Sequence, residues 1–352
     1  MTHLTWSDEL GKRIRTGDWQ DQIIPTVTKI EDAIREGRLE EAAQLIDYFM
    51  EEAKVVQAIY SVWYPGFQDW LLQQEVTRGE LDAEIQRLSK LMAMPDGTDF
   101  EPFGLWGDLG ARAGRLGNLV RSAGIEPEAA ISELDHVRED WRRIHDRWVD
   151  LISGILAYGA ERFGEESLED MYRHTLEPYI QERYMVYDLR EVEYGETIFR
   201  NLYTTIEAMR AHLGGPDRLG DMDFEEFDDR WVVSFDPCGS GGRSSRGDTV
   251  EGTGPRPEEP YKFGVTQEEY DWAWNEKGVC YYCAHCCFAL EKLPAERWGH
   301  PVRVVDSPLY PAETSGDEPK KCSWTVYKTI EAIPESAYER LGMTKPEAGT
   351  FS

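Results

Sequence analysis

Four of the chain's six cysteines fall in one short run, Cys280, Cys283, Cys286 and Cys287, with His285 among them. The other two are Cys238, in the Gly-rich stretch Asp236-Pro-Cys-Gly-Ser-Gly-Gly-Arg243, and Cys322. Thiolates and an imidazole at this spacing suit a tetrahedral soft metal, zinc first, because a Cys-x-x-Cys turn sets two sulfurs on one side of the ion. The expected ligand set is Cys238, Cys280, Cys283 and Cys286. A set with His285 in place of Cys280 is the close alternative, and Cys287 and Cys322 compete for the last position. An iron–sulfur cluster is the less favoured occupant, since thiolate ligation alone admits it. Reduced cysteines packed as small hydrophobes are the bland reading.

The run holds more donors than one metal needs. A thiol left over beside a metal can act as a nucleophile, which makes His285 and Cys287 candidate catalytic groups. His300 and Arg303, in Glu296-Arg-Trp-Gly-His-Pro-Val-Arg303, are the candidate substrate contacts. The Gly-rich loop lacks the lysine of a phosphate-binding loop, so it reads as a flexible ligand-bearing loop, with an anion nest using Arg243 or Arg246 as the second reading. Upstream, His145 adjoins Asp146, and His212 stands near a strong helix stop, Gly214-Gly-Pro216. Aimed inward with Glu166 or Asp150, these histidines would bind a second metal or supply acid and base groups. Their bland readings are a helix-end imidazolium for His212 and first-turn carboxylates for Glu165 and Glu166.

Residues from about 20 to 213 carry helical periodicity. Apolar positions from Leu39 to Val62 share one face, and Pro65-Gly66 reads as the end of that helix. A second helix is expected over Leu71 to Met92, short pieces over Pro95 to Gly124, and a long helix over Pro127 to Phe163. The long helix has the stripe Leu134, Val137, Trp141, Ile144, Trp148, Leu151 and Ile155. Ser167 with Asp170 reads as a capping box, and Glu196 to Leu213 as the last helix. Beyond residue 216 the pattern becomes β-rich, with strands expected at Trp231–Phe235, Val302–Val305 and Ser323–Lys328, and a long loop over 236–262.

The segment from Cys283 through Trp298-Gly-His-Pro-Val-Arg-Val-Val305 to Cys322-Ser-Trp-Thr-Val-Tyr resembles the C-terminal part of the L-2-amino-thiazoline-4-carboxylate hydrolase-like family and, more remotely, 4-vinyl reductase-type small-molecule-binding domains. The resemblance covers about 70 residues. It implies an α+β ligand-binding module and hydrolysis. The chain as a whole is similar to a bacterial family without an assigned activity.

The 352 residues carry 38 basic against 67 acidic side chains, a net charge of −29. Such a surface repels nucleic-acid phosphates and anionic lipid, so neither is an expected partner. The N-terminal residues lack an apolar h-region, and the expected location is cytoplasmic, where clustered cysteines stay reduced. The expected fold class is α+β: a helical bundle domain over 1–215, a small metal-binding β-rich domain over 216–342, and a flexible tail over 343–352. The expected function is a zinc-binding enzyme of hydrolase or lyase type, acting on a small organic molecule at the junction of the two halves. A non-catalytic structural zinc protein serving ligand sensing or assembly is the alternative, and a homo-oligomer is compatible with either.

Overall fold

A computed structural model describes residues 4–311, 314–315 and 318–347. An N-terminal hairpin, β1 (Leu4–Ser7) and β2 (Lys12–Arg15), and a single helical turn, Trp19–Gln22, precede seven longer helices: α1 (Thr26–Arg35), α2 (Leu39–Gln73), α3 (Arg78–Leu91), α4 (Pro102–Arg121), α5 (Pro127–Phe163), α6 (Leu168–Tyr184) and α7 (Tyr194–Ala211). An antiparallel sheet follows, built from β3 (Asp223–Glu226), β4 (Arg230–Phe235), β5 (Val304–Asp306) and β6 (Cys322–Tyr327) in the order β3-β4-β6-β5. Between β4 and β5 lie three short helices, α8 (Gly241–Arg246), α9 (Tyr281–Cys287) and α10 (Leu293–Trp298). The architecture is α+β, and one apolar cluster runs through both halves of the chain. Among the described residues no helix is long and apolar enough to cross a membrane.

The predicted α5 stripe is buried throughout. Several element boundaries differ from expectation. The α2 helix does not stop at Pro65-Gly66 but continues to Gln73. A mid-helix proline costs about 3 kcal/mol, and burial of Trp63, Phe67, Trp70 and Leu71 offsets it. Gly66 permits the close passage of α6, since a Cβ there would sit 2.7 Å from Thr175 Cγ2. The expected helix over Leu71 to Met92 is split, because a true capping box of Thr77 and Glu80 starts α3 afresh. Residues 102–121 form one helix rather than short pieces. There the Glu101 carboxylate caps the first turn, and the buried stripe Leu109, Ala113, Leu116 and Val120 outweighs the glycines' weak propensity. Ser167 forms no capping box; its hydroxyl donates back to the Gly164 carbonyl at 2.7 Å. The tail is anchored as far as Lys345, whose Nζ donates to the Ile333 carbonyl at 2.6 Å, while residues 348–352 of the expected flexible tail lie outside the described residues.

From Ile144 to Leu156 the α5 helix is buried on every face, although His145, Asp146 and Asp150 lie within that stretch. Buried charge must find partners. Asp150 accepts from Arg243 Nη2 at 2.6 Å and from Arg256 Nε at 3.0 and 3.1 Å. Asp146 accepts from Arg218 Nη2 at 2.6 Å and from Arg142 Nη1 at 2.9 Å. Glu251 accepts from Arg147 at 2.6 Å and Arg142 at 3.2 Å. The long loop after β4 is therefore held to α5 by ion pairs from Arg243, Glu251 and Arg256.

Burial works against both aspartate anions, yet the surrounding guanidinium groups outweigh it and hold Asp146 and Asp150 below the usual carboxylate range. The folded chain thus binds fewer protons than the unfolded one in acid. The network's contribution is complete above about pH 4 and is lost as pH falls further. Two outcomes are expected: thermal stability declines below that pH, and Asp150→Asn at neutral pH costs about 3–5 kcal/mol. Denaturant melts check both, and limited proteolysis should show cleavage moving into 236–262 in the variant.

Candidate functional site

The end of α7, the Gly-rich loop, α9 and the sheet meet around a cavity of about 40 Å³. His212 and Met209 line it from the helical half, and Cys238, Ser240, Gly241 and Gly242 from the loop. From α9 come Tyr282, Cys283, His285 and Cys286, and from the sheet side Val305, Ser307, Cys322 and Trp324. Among the described residues no Lys, Arg, Asp or Glu side chain lines it.

Close backbone packing explains the loop's glycines. A Cβ on Gly239 would lie 1.8 Å from the His212 carbonyl oxygen, and one on Gly241 would lie 2.0 Å from Cys283 Sγ. The loop is not an anion nest: Arg243 is consumed by Asp150, and Arg246 pairs with Asp236.

Cys238 sits in a ring of donors. Its sulfur lies 3.2 Å from Ser240 Oγ, with the Cys322 thiol and the backbone N–H groups of Ser240 and Gly242 beside it. These donors outweigh burial and hold the Cys238 thiol well below its usual range. The other thiols of the lining are pushed up. Cys322 is raised because it donates to Cys238, Cys283 because it donates to Cys280, and Cys286 by burial.

A chain of hydrogen bonds reaches the cavity from α5. Asp146 Oδ1 lies 2.9 Å from His145 Nδ1, and His145 Nε2 lies 2.7 Å from His212 Nδ1. The carboxylate is held ionised and can only accept, so His145 carries its proton on Nδ1 and offers a bare Nε2. His212 must then donate from Nδ1, which leaves its own Nε2 unprotonated. Burial lowers both imidazoles, so both are neutral near pH 7. A second imidazole repeats the pattern: His285 Nδ1 faces the Tyr282 carbonyl, and His285 Nε2 stands 3.4 Å from Cys286 Sγ. Tyr282 is itself fixed by Tyr60, their hydroxyls 2.9 Å apart.

Of the expected metal ligands, Cys238, Cys283 and Cys286 line the cavity and Cys280 does not; it stands behind as the acceptor of the Cys283 thiol. Cys322 takes a place in the lining instead. Among the described residues no group of three or more His, Cys, Asp or Glu side chains is arranged to hold a metal ion. Of the catalytic candidates, His285 lines the cavity and the other three stand apart from it. Cys287 is fully buried and accepts the Trp274 N–H at 3.2 Å. His300 has both ring nitrogens 3.0 Å from carbonyls, those of Pro301 and Tyr187. Arg303 donates to Asn201 Oδ1 and Thr204 Oγ1, each at 2.8 Å. These three side chains are spent on holding the fold. Asp150 belongs to the ion network, while Asp146, passed over as a partner in the sequence, orients His145. The one sequence signal for it is the adjacent pair His145-Asp146.

No protein-family model, curated protein or solved structure matches the chain.

The packing at Gly241 is open to test. Gly241→Ala should lower the thermal midpoint by an amount matching about 1–3 kcal/mol of overpacking. Gly254→Ala, in open space, should leave the midpoint within experimental scatter.

Proposed function

We propose that the protein is an enzyme of hydrolase type acting on a small uncharged molecule in this cavity, with Cys238 as nucleophile and His212 as general base. The observation that carries the reading is the pairing of two arrangements at one cavity. One side holds a sulfur ringed by hydrogen-bond donors, and the other holds an imidazole whose free nitrogen is fixed by the Asp146–His145 relay. Each lacks an evident structural need for the other, whereas covalent catalysis needs both.

In this mechanism Cys238 Sγ attacks an electrophilic carbon, and a carbon–sulfur bond forms. The leaving group departs with its electron pair and takes a proton from water. His212 Nε2 then removes a proton from the water that attacks the thioester carbon, cleavage of the carbon–sulfur bond returns the thiolate, and the imidazolium gives its proton to the hydroxide left by the first step. His145 and Asp146 act as positioning residues, holding the His212 tautomer. Among the described residues the lining has no cationic side chain to neutralise a substrate anion, which is why an uncharged substrate is favoured.

The reading is tested with p-nitrophenyl acetate and iodoacetamide as probes. Iodoacetamide should alkylate Cys238 ahead of the other five cysteines and faster than anionic iodoacetate does. The ester should leave an acetyl group on Cys238 in quenched samples, and Cys238→Ser should abolish it. His212→Gln should lower steady-state turnover by roughly 10²–10⁴-fold while leaving acetylation detectable. Modification spread evenly over the cysteines, or turnover unaffected by Cys238→Ser, would overturn the proposal.

A second reading rests on the same lining, where four thiols and two imidazoles face one small cavity. Those are donors of zinc type. Elemental analysis of the purified protein decides it: one zinc per chain, with Cys238 protected from iodoacetamide until a chelator is added, would favour the metal over the free nucleophile.

A further inference from the structure

The Cys322 thiol has no role in the hydrolytic steps above, yet it lines the cavity beside Cys238 and perturbs its thiol. The sheet fixes this encounter. Cys322 opens β6 and is paired across the ladder with Phe235, the last residue of β4, three residues before Cys238. Both sulfurs line the same cavity. The remaining lining thiols are engaged elsewhere: Cys283 with Cys280 and Ser307, and Cys286 with His285. The Cys238 and Cys322 side chains thus face each other's side of one cavity of about 40 Å³, which admits a molecule of peroxide size.

We infer that Cys238 and Cys322 are a redox pair that a hydroperoxide converts to an intramolecular disulfide, closing the cavity's nucleophile until a small thiol reopens it. The Cys238 sulfur attacks one peroxide oxygen; a sulfur–oxygen bond forms and the oxygen–oxygen bond breaks, releasing hydroxide. The Cys322 sulfur then attacks the Cys238 sulfenic acid, and the hydroxyl leaves with the Cys322 proton as water. The two sulfurs lose two electrons and the peroxide gains them. Reduction by a small dithiol runs the other way, oxidising that reagent to its own disulfide. The inference rests on the reactivity proposed for Cys238 but needs no substrate and no turnover.

The test uses the full chain. Protein treated with hydrogen peroxide, blocked with N-ethylmaleimide and digested without reductant should yield a Cys238–Cys322 linked peptide that dithiothreitol abolishes. In Cys322→Ser that peptide should be absent, and Cys238 should go on to sulfinic acid. Cys280→Ser, should the first variant fold poorly, must still form the Cys238–Cys322 link. Disulfides confined to Cys280, Cys283, Cys286 and Cys287, or a Cys238 still open to iodoacetamide after peroxide, overturn the inference. Acetylation of Cys238 in reduced protein, with no disulfide after peroxide, removes the inference and leaves the proposed hydrolase standing. A disulfide in a protein whose Cys238 is never acetylated does the reverse.

Discussion

Everything in the C-terminal half depends on two aspartates buried in the central helix. Asp146 and Asp150 lie one turn apart on α5, and each would be prohibitively costly to bury alone. Arg218, Arg243 and Arg256 bring the compensating charge. Those arginines come from the segment after α7 and from the loop after β4, so satisfying the aspartates also places the loop. Once Arg243 is bound to Asp150, the Gly-rich turn before it is pressed against the end of α7. There only glycine fits at position 239, beneath the His212 carbonyl. The position of Cys238 is thus a consequence of electrostatics some distance away from it.

Asp146 serves twice. One carboxylate oxygen lies within reach of Arg142 and the other faces both Arg218 and His145. Because the arginines keep the group ionised, it can offer His145 only an acceptor. That single constraint passes along two imidazoles and fixes which nitrogen of His212 is bare. A neutral carboxylic acid at the same place would leave both tautomers open. The ion network therefore holds the loop and also sets the proton positions at the cavity.

The sequence read well where one physical signal dominated. The α5 stripe, the strands around Trp231 and Trp324, and the stop at Gly214-Gly-Pro216 rest on periodicity, β-branched content or turn chemistry, and the structure has them. It read poorly where a local signal opposed tertiary packing. Pro65-Gly66 looks like a helix end, but the aromatic residues after it have a core to enter. The glycines of 104–114 look like breaks, but a buried stripe runs through them. For the site, residue type was legible and partnership was not. Cys238, Cys283, Cys286 and His285 line the cavity, whereas Cys280 precedes the first turn of α9 and Cys287 closes its last, and neither side chain lines it. His300 and Arg303 show why polar identity is a weak guide: each is spent on carbonyls, amides or hydroxyls of the fold. Arg243 and Arg256 carried no sequence mark of their partner, because Asp150 is about a hundred residues away.

The distribution of charge bears on what the cavity can accept. The chain has a net charge of −29, yet much of its strongest cationic character is turned inward, where carboxylates consume it. Among the described residues the cavity lining presents no cation to an approaching anion. A carboxylate or phosphate would lose its hydration without a compensating partner, beside a sulfur that already gathers the nearby donors. An uncharged electrophile meets no such penalty. In the proposed hydrolysis it also draws on those same donors, since the N–H groups of Ser240 and Gly242 are released from sulfur as its charge moves onto the substrate. The arrangement that holds Cys238 is then equally suited to letting it react, which is the physical reason that the proposed chemistry falls to this thiol among six.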